Sequence, residues 1–205
     1  MKHRVVTLQN ATLYLGDCRE ILPSIEGIDA IVTDPPYGLG DAKWQNGPQW
    51  PLIAEGMAWD QAPVAGLVDS LTRFTQAIVW GGNYYPFPPS RGWLVWDKLQ
   101  RDFSSGHCEL AWTTLDQPVR AFNYSRGQLA AEGKIHPTQK PVALMAWCVA
   151  MTSGTVCDQF MGSGSTGVAC ANLCRPFIGV ELNERYFDIA CERIGRAQAQ
   201  GRLFA

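Results

Sequence analysis

The sequence Asp34-Pro35-Pro36-Tyr37 combines groups that could activate an aromatic amine for attack on an electrophile. An exocyclic amine on a heteroaromatic ring is a poor nucleophile because its lone pair is delocalised into the ring. The Asp34 carboxylate and the Pro35 carbonyl could accept the two amine hydrogens, which favours a tetrahedral nitrogen. The Tyr37 ring could hold a base that is flipped out of a nucleic acid. These four residues are the predicted catalytic turn.

A glycine-rich turn, Gly162-Ser163-Gly164-Ser165-Thr166-Gly167, lies far from the catalytic turn in the sequence. It matches the G-x-G-x-x-G pattern of nucleotide-binding turns, and Glu181 ends the next predicted strand, where a ribose-binding carboxylate belongs. A nicotinamide dinucleotide fits poorly, because only about forty residues follow Gly162, too few to complete that fold forward from the turn. A Walker-type phosphate loop also fits poorly, since the lysine expected after the last glycine is absent.

A cofactor with one ribose, one adenine and no phosphate suits the glycine turn better. Glu181 can hold ribose hydroxyls while the turn lets a methionine portion approach, so the predicted cofactor is S-adenosylmethionine. Asp17, at the end of a neighbouring predicted strand, could accept a hydrogen bond from the adenine amino group. Two other interpretations stay open: Asp17 as the N-cap of a helix that begins at Cys18, and Glu181 as a solvent-exposed strand terminus.

Short apolar runs predict a mainly parallel α/β sheet that would position both turns. The predicted strands are residues 13–15, 30–33, 77–80, 93–96, 109–112, 119–122, 155–158 and 177–180, with 109–112 and 119–122 forming a hairpin. Helices are predicted for 166–173, after a proline-bounded entry at 142, and after Asn183. Asp17 and Asp34 both follow predicted strands, so both carboxylates would face one crevice at the carboxyl edge of the sheet.

Composition fits one compact domain over residues 1–205. The net charge of −2 excludes a uniformly basic surface, so binding to nucleic acid would need a local patch. One basic stretch could supply it, with a solvated face as the alternative: Arg91, Lys98, Arg101, Arg120, Arg126, Lys134 and Lys140. Asn83, Tyr84 and Tyr85 could line the crevice, but packing of these aromatic residues is the favoured interpretation.

The seven cysteines are scattered and predict reduced thiols in the core rather than disulfides. Their spacing matches no zinc site, so no metal is predicted. The longest apolar run, residues 142–151, is too short to span a bilayer, and the amino terminus contains no signal core. We therefore expect a cytoplasmic protein with no membrane partner.

In this order, the motifs resemble those of the permuted, beta-type DNA amino-methyltransferases. The resemblance covers nearly the whole chain and rests on Gly16-Asp17, Thr33 to Gly38, Gly92 to Lys98, His136-Pro137-Thr138-Gln139-Lys140-Pro141, the glycine turn and Gly179-Val180-Glu181-Leu182. It implies a Rossmann-like S-adenosylmethionine-dependent methyltransferase fold with circularly permuted motif order. That fold is expected to have a mostly parallel sheet and a C-terminal antiparallel hairpin.

The resemblance also implies a set of cofactor-binding residues. They are Asp17, Cys18, Asp34, Pro137, Thr138, Lys140, Asp158, Phe160, Gly162, Ser163, Gly164, Glu181 and Leu182. Residues 136–141 would line the methionine end of the cofactor, with Thr138 and Lys140 near its carboxylate. Gln159 stands where the family usually has proline, which we expect to alter the stiffness of the turn without abolishing binding.

By this resemblance the chain would methylate the exocyclic N6 amine of adenine at specific sites in double-stranded DNA, because aspartate in the first catalytic position is typical of adenine enzymes. N4-cytosine methylation uses the same amine chemistry and stays an alternative, as do methylation of RNA or a protein amide and a silent nucleic-acid-binding module. The target-recognition segment is expected within about 99–134, helped by the loop at 39–63. So short a segment suits a short site, a homodimer or a helper protein. No nuclease motif is apparent, so we expect modification without cleavage, as in a solitary or phage-borne enzyme.

Overall fold

The computed structural model describes residues 3–39, 62–101, 106–131 and 139–201. Nine strands in these ranges form one sheet: β1 (Arg4–Thr7), β2 (Ala11–Leu15), β3 (Ala30–Thr33), β4 (Ala77–Trp80), β5 (Trp93–Asp97), β6 (Cys108–Thr113), β7 (Arg120–Asn123), β8 (Val156–Asp158) and β9 (Phe177–Glu181). Their order is β1-β2-β9-β8-β3-β4-β6-β5-β7. The central strands β2, β9, β8, β3 and β4 are parallel to one another, so their carboxyl ends meet at one edge.

Helices cover both faces of the sheet. They are α1 (Cys18–Ile21), α2 (Leu67–Thr72), α3 (Arg126–Ala131), α4 (Val142–Ala150), α5 (Ser165–Asn172) and α6 (Glu184–Gly201). The larger apolar core lies between the sheet and α4, α5 and α6, and a second core lies under α2. The chain is therefore a three-layered α/β structure with a mostly parallel sheet, as the sequence predicted.

Burial on both faces explains why the central strands are continuous apolar runs. In β3, Val32 packs into the larger core and Ile31 into the core under α2. All eight predicted strands form, with small differences at their ends. Helices α5 and α6 form as predicted, and the Asn183 Oδ1 accepts from the backbone N–H of Tyr186 at 3.2 Å, which caps α6.

The predicted hairpin is wrong, because β6 and β7 do not pair with each other. Strand β5 lies between them, antiparallel to β6 and parallel to β7. Apolar periodicity identifies a strand but not its neighbours, which depend on packing across the whole sheet. The C-terminal antiparallel hairpin is wrong as well: β8 and β9, the last strands in the described residues, are parallel. They are joined through α5, and such a crossover imposes parallel pairing.

The predicted basic patch does not form as one surface. Lys98 and Lys140 are 8% and 6% exposed and are held in ion pairs inside the protein. Arg91 and Arg101 pair with Asp116 and Asp97, respectively, on the surface. Lys134 lies outside the described residues. Sequence proximity overstated the patch because Glu109 and Asp34, which the fold brings from other strands, hold Lys98 and Lys140 inside the protein.

Four of the seven cysteines, Cys18, Cys148, Cys157 and Cys170, are buried free thiols, in agreement with the prediction of core thiols. Cys108 and Cys174 are exposed, so the prediction of a core position is wrong for these two thiols. Within the ranges that the structure describes, no group of three or more His, Cys, Asp or Glu side chains could hold a metal ion. The helices in these ranges include none with the length and apolar character needed to cross a membrane.

Candidate active site

Four acidic side chains meet at the carboxyl edge of the sheet. Asp34 directly follows β3, Asp158 and Glu181 end β8 and β9, and Asp17 follows β2 by two residues. A cavity of about 800 Å³ opens at this edge. Open α/β sheets bind ligands in this position, beyond the carboxyl ends of parallel strands.

Most of the predicted site residues line this cavity. They are Asp17, Cys18, Asp34, Pro36, Lys140, Asp158, Phe160, Gly162, Ser163, Glu181 and Leu182. Pro35, Tyr37 and Gly164 lie next to lining residues in the chain but are not part of the lining. Pro137 and Thr138 lie outside the described residues, as do His136 and most of the predicted loop at 39–63.

In the catalytic turn, both oxygens of the Asp34 carboxylate are hydrogen-bonded. The Tyr37 hydroxyl donates to Oδ1, and the Lys140 Nζ donates to Oδ2 at 2.5 Å. Burial raises the pKa of Asp34, and the Lys140 ammonium group opposes that rise. Burial and the Asp34 charge raise the pKa of Tyr37 well above its usual range, so its hydroxyl remains a donor. The turn thus presents an oriented acidic group at the cavity.

Aromatic side chains from the end of β4 support the catalytic turn. The Tyr37 and Tyr84 rings stack with centroids 4.9 Å apart and an interplanar angle of 18°. The Tyr85 hydroxyl donates to the Pro36 carbonyl oxygen. These contacts agree with the favoured packing interpretation of the two tyrosines. They also leave Tyr84 41% exposed.

Gly81 makes the position of the Tyr37 ring possible. Its φ is +68°, and a Cβ at this residue would lie 1.9 Å from the Tyr37 Cε1 atom. Any larger residue must therefore displace the catalytic ring or the turn that carries it. No side chain can substitute for glycine here without movement of Tyr37.

Gly81→Ala should destabilise the protein more than the matched control Gly27→Ala and should impair activity through Tyr37. Gly27 has a φ of +76°, and a Cβ there would meet no atom within 4 Å, so its substitution carries only the left-handed backbone penalty, about 1–2 kcal/mol. Overpacking against Tyr37 should add about 1–3 kcal/mol. Chemical denaturation of both variants measures the difference, and equal losses would contradict this role of Gly81.

Asp158 holds the glycine turn in place. Its Oδ1 accepts from Thr33 Oγ1 at 2.7 Å and from the Phe160 backbone N–H at 3.1 Å, and its Oδ2 accepts from Thr166 Oγ1 at 2.5 Å. One carboxylate therefore joins β3, the turn and α5. Burial raises the pKa of Asp158 to about 6, from an ordinary value of 3.8.

The raised pKa of Asp158 predicts a defined pH dependence of stability. The folded protein binds this proton more tightly than the unfolded chain, so wild type should lose stability as pH rises from about 4 through 6. Asp158→Asn cannot ionise, so its free energy of unfolding relative to wild type should rise by about 1–3 kcal/mol between about pH 4 and pH 7. Denaturation at several pH values tests this, and a constant difference would contradict it.

The three glycines of the turn have different roles. Gly162 has a φ of +51°, and a Cβ there would meet no atom within 4 Å, so it borders open space. Gly164, with a φ of +83°, is the N-cap of α5. A Cβ at Gly167 would lie 2.3 Å from Ile194 Cδ1, so this glycine lets α5 approach α6. Only the first glycine therefore leaves backbone accessible to a ligand.

Glu181 and Asp17 also stabilise backbone around the cavity. Glu181 accepts from the backbone N–H groups of Gly162 and Asn183, each at 2.8 Å, and burial raises its pKa. It is only partly exposed, so the interpretation as a solvent-exposed terminus is wrong. The helix N-cap interpretation of Asp17 is confirmed, because Oδ1 accepts from the Arg19 backbone N–H at 2.8 Å. Both carboxylates still line the cavity.

Sequence reasoning missed Glu109, and it did not place Lys140 beside Asp34. Glu109 lies in β6, and its Oε2 is 3.0 Å from the Lys140 Nζ that also contacts Asp34. The sequence does contain a signal for Glu109, because this acidic residue adjoins the apolar run Leu110-Ala111-Trp112 of a predicted strand. Its partners come from distant parts of the chain, so only the fold identifies them.

The sheet order and the cavity at the strand ends define a Rossmann-like α/β protein with a cavity where such folds bind ligands. A family profile of N6/N4 DNA methylases matches residues 68–192, which is more than half of the chain. The chain belongs to this family. The matched residues include Glu109, Lys140, the glycine turn and Glu181, and they begin after the catalytic turn.

Individual proteins extend this comparison. The type II methyltransferase M.SmaI of Serratia marcescens is 49% identical over 59 residues, which are 27% of this chain and 20% of M.SmaI. The chain thus spans about a fifth of the length of that relative. The M1.HpyAVI–SAM complex has a TM-score of 0.56 at 24% identity, covering 89% of this chain and 99% of that chain. The cytosine-N4-specific PvuII DNA methyltransferase has a TM-score of 0.57 at 16% identity, covering 95% and 93%. Both structures share the fold.

Proposed function

We propose that this chain transfers a methyl group from S-adenosylmethionine to the exocyclic N6 amine of adenine at specific sites in double-stranded DNA. The observation that carries the proposal is the shared cavity. Asp34 of the catalytic turn, Gly162 of the glycine turn and Glu181 all line it. An acceptor for amine hydrogens and a cofactor-binding turn therefore open onto the same space, within a chain of the N6/N4 DNA methylase family.

The residues of the cavity fit S-adenosylmethionine. Its volume of about 800 Å³ lies within the range of small-molecule sites. Gly162 offers backbone that no Cβ shields, and the carboxylates of Asp17 and Glu181 can accept from adenine and ribose groups. The M1.HpyAVI structure of similar fold is a complex with this cofactor. When bound, the cofactor supplies an electrophilic methyl group on a sulfonium centre.

The catalytic turn prepares the amine and takes its proton. Asp34 and the Pro35 carbonyl accept the amine hydrogens, which localises the nitrogen lone pair for attack. The cofactor, which Asp17, Gly162 and Glu181 would hold, would supply the methyl group to this nitrogen and would leave as a neutral thioether. The nitrogen then loses one proton, for which the Asp34 carboxylate is the adjacent base. The Tyr37 ring, backed by Tyr84, holds the flipped base in line.

Adenine is favoured over cytosine because the first catalytic residue is Asp34, as in the adenine enzymes that the turn resembles. The cytosine-N4-specific PvuII enzyme has a similar fold, and cytosine carries the same type of amine. N4-cytosine methylation is therefore the second candidate. The two differ in the base that is modified and not in the roles of Asp34 and Tyr37.

We place target recognition in the segment 99–134, within a single domain. Strand β6 belongs to the scaffold, since Ala111 and Trp112 are buried between β4 and β5. Recognition is therefore assigned to the parts of the segment that flank β6. Leu99, 52% exposed with a φ of +53°, begins the first of these parts. Deletion mapping of site preference tests the assignment.

Incubation with isotopically labelled S-adenosylmethionine and mixed-sequence duplex DNA, followed by mass spectrometry of the nucleosides, tests the function. Labelled N6-methyldeoxyadenosine is expected, and labelled N4-methyldeoxycytidine would establish the second candidate instead. Absence of label with intact cofactor binding would overturn both. Gel electrophoresis of the same DNA should show no cleavage, and nicked or cut products would contradict modification alone.

A further inference from the structure

Four buried or half-buried charged side chains form a continuous row that ends at the catalytic turn. Lys98 Nζ is 2.7 Å from Glu109 Oε1, and Glu109 Oε2 is 3.0 Å from Lys140 Nζ. Lys140 Nζ in turn lies 2.5 Å from Asp34 Oδ2. The charges alternate along the row, so each cation lies between or beside carboxylates.

The row is built from elements that are far apart in sequence but adjacent in the sheet. Asp34 follows β3, Glu109 lies in β6, Lys98 follows β5, and Lys140 precedes α4. The Lys98 backbone N–H donates to the His107 carbonyl at 3.0 Å, which holds Lys98 beside β6. The side chains of Lys98 and Lys140 are 9% and 6% exposed. Removing them from water is costly unless each keeps a close anionic partner.

We propose that Lys98 and Glu109 are positioning residues that act through Lys140 on Asp34, and that this charge-neutral row fixes the catalytic carboxylate and keeps it ionised. The inference rests on the proposed function, because it takes Asp34 as the group that accepts the amine hydrogens. The new point is that Lys98 and Glu109, which do not line the cavity, control the position and ionisation of the Asp34 carboxylate. Lys140 has a direct contact with Asp34, whereas Lys98 reaches it through two intervening side chains.

The net charge of the row influences how readily Asp34 is protonated. With two lysines and two carboxylates the net charge is zero, and removal of Lys98 or Glu109 leaves an uncompensated charge in the row. Loss of Lys98 leaves two carboxylates to share one ammonium group, which favours protonation of Asp34. Loss of Glu109 leaves two ammonium groups beside one carboxylate, which favours its ionised form. The two losses therefore act in opposite directions, and their combination restores neutrality.

Other groups that face Asp34 set the background for this effect. The Tyr37 hydroxyl donates to Asp34 from the same turn, and Asp158 at the end of β8 interacts with it electrostatically. Burial alone raises the pKa of Asp34, and the nearby Glu109 charge raises it further, whereas Lys140 lowers it. Glu109 is held at a pKa of about 2 because Lys140 and Lys98 outweigh its burial.

A charge-balance cycle on the full-length protein tests the proposal. The variants are Lys98→Met, Glu109→Gln and the double variant, with Asp34→Asn used to assign the Asp34 signal. Carbon-13 NMR titration of the Asp34 carboxyl should give a higher midpoint than wild type in Lys98→Met and a lower one in Glu109→Gln. The double variant should return close to wild type. Each shift should be about one pH unit or less.

Methyl transfer measured over the same pH range adds the functional readout. The acid limb of kcat should follow the Asp34 midpoint in each variant: to higher pH in Lys98→Met, to lower pH in Glu109→Gln, and back toward wild type in the double variant. The affinity for S-adenosylmethionine should stay within roughly threefold, about 0.65 kcal/mol. A merely structural row would lower the activity of all variants without shifts of opposite sign.

The two sets of data separate failure of the inference from failure of the proposed function. Shifts in the same direction, no shift, or a double variant whose midpoint does not return toward wild type would overturn the inference. If the variants show the expected NMR shifts but the wild-type protein methylates no DNA, the proposed function is overturned and the charged row is established. If one single variant does not fold, the direction of the shift in the other single variant still tests the inference.

Discussion

Asp34→Ala should lower methyl transfer by roughly a hundredfold to ten-thousandfold, the range found when a positioned acid or base is removed. The affinity for S-adenosylmethionine should stay within roughly tenfold, about 1.4 kcal/mol. The reason is that Asp34 is proposed to accept the amine hydrogens, whereas the glycine turn and Glu181, which also line the cavity, are proposed to hold the cofactor. Single-turnover methylation and calorimetry of cofactor binding measure the two effects separately.

The structure also supplies the controls for this experiment. Removal of the Asp34 carboxylate leaves Lys140 paired with Glu109, so the buried ammonium group keeps one anionic partner. Asp34→Asn retains the shape of the side chain and should be nearly as inactive, because the amide lacks the charge. Asp116→Ala, at a surface carboxylate that pairs with Arg91, should leave activity unchanged. Unchanged turnover in Asp34→Ala would remove Asp34 from the mechanism.

The second large effect is expected for Glu181→Ala, which should weaken S-adenosylmethionine binding by roughly tenfold to a hundredfold, about 1.4–2.8 kcal/mol. Two causes combine. The variant loses the carboxylate proposed to hold the ribose hydroxyls. It also loses the acceptor that orients the Gly162 and Asn183 backbone N–H groups, which loosens the glycine turn. Isothermal titration calorimetry with the cofactor measures the loss.

Glu184→Ala is the matched control for Glu181→Ala. Glu184 begins α6 three residues later, with a side chain that is 71% exposed and pairs with Arg4 on the surface. Its removal should change cofactor affinity by less than roughly twofold, since surface ion pairs contribute little. Equal affinities for Glu181→Ala and wild type would exclude Glu181 from the cofactor site. Equal losses in both variants would point to a general effect on α6.

The sequence predicted the elements and the edge of the sheet where the site lies. Buried strands such as 30–33 and 77–80 are continuous apolar runs, and the polar residues at their ends mark the carboxyl edge. The glycine turn was equally clear, because its spacing reflects local backbone requirements at Gly162 and Gly164. Features that depend only on residues close together in the sequence can be predicted from the sequence.

The order of the outer strands was not predictable in this way. The sequence placed 109–112 and 119–122 together as a hairpin, whereas β5 separates them. Turn residues and alternation do not distinguish a direct return from pairing with an earlier strand. Both arrangements bury similar side chains, so the choice depends on packing against α4 and the rest of the sheet.

The sequence by itself determined the fold class, the family and eleven of the residues that line the cavity. Only the tertiary structure decided how those residues act on one another: Tyr84 behind Tyr37, Asp158 between two threonines, and Lys140 between Asp34 and Glu109. The physical reason is the separation in sequence between the residues that interact. Backbone geometry and apolar periodicity are local and repeat in the sequence, whereas a buried charge is stable only next to a specific partner that the fold brings from elsewhere.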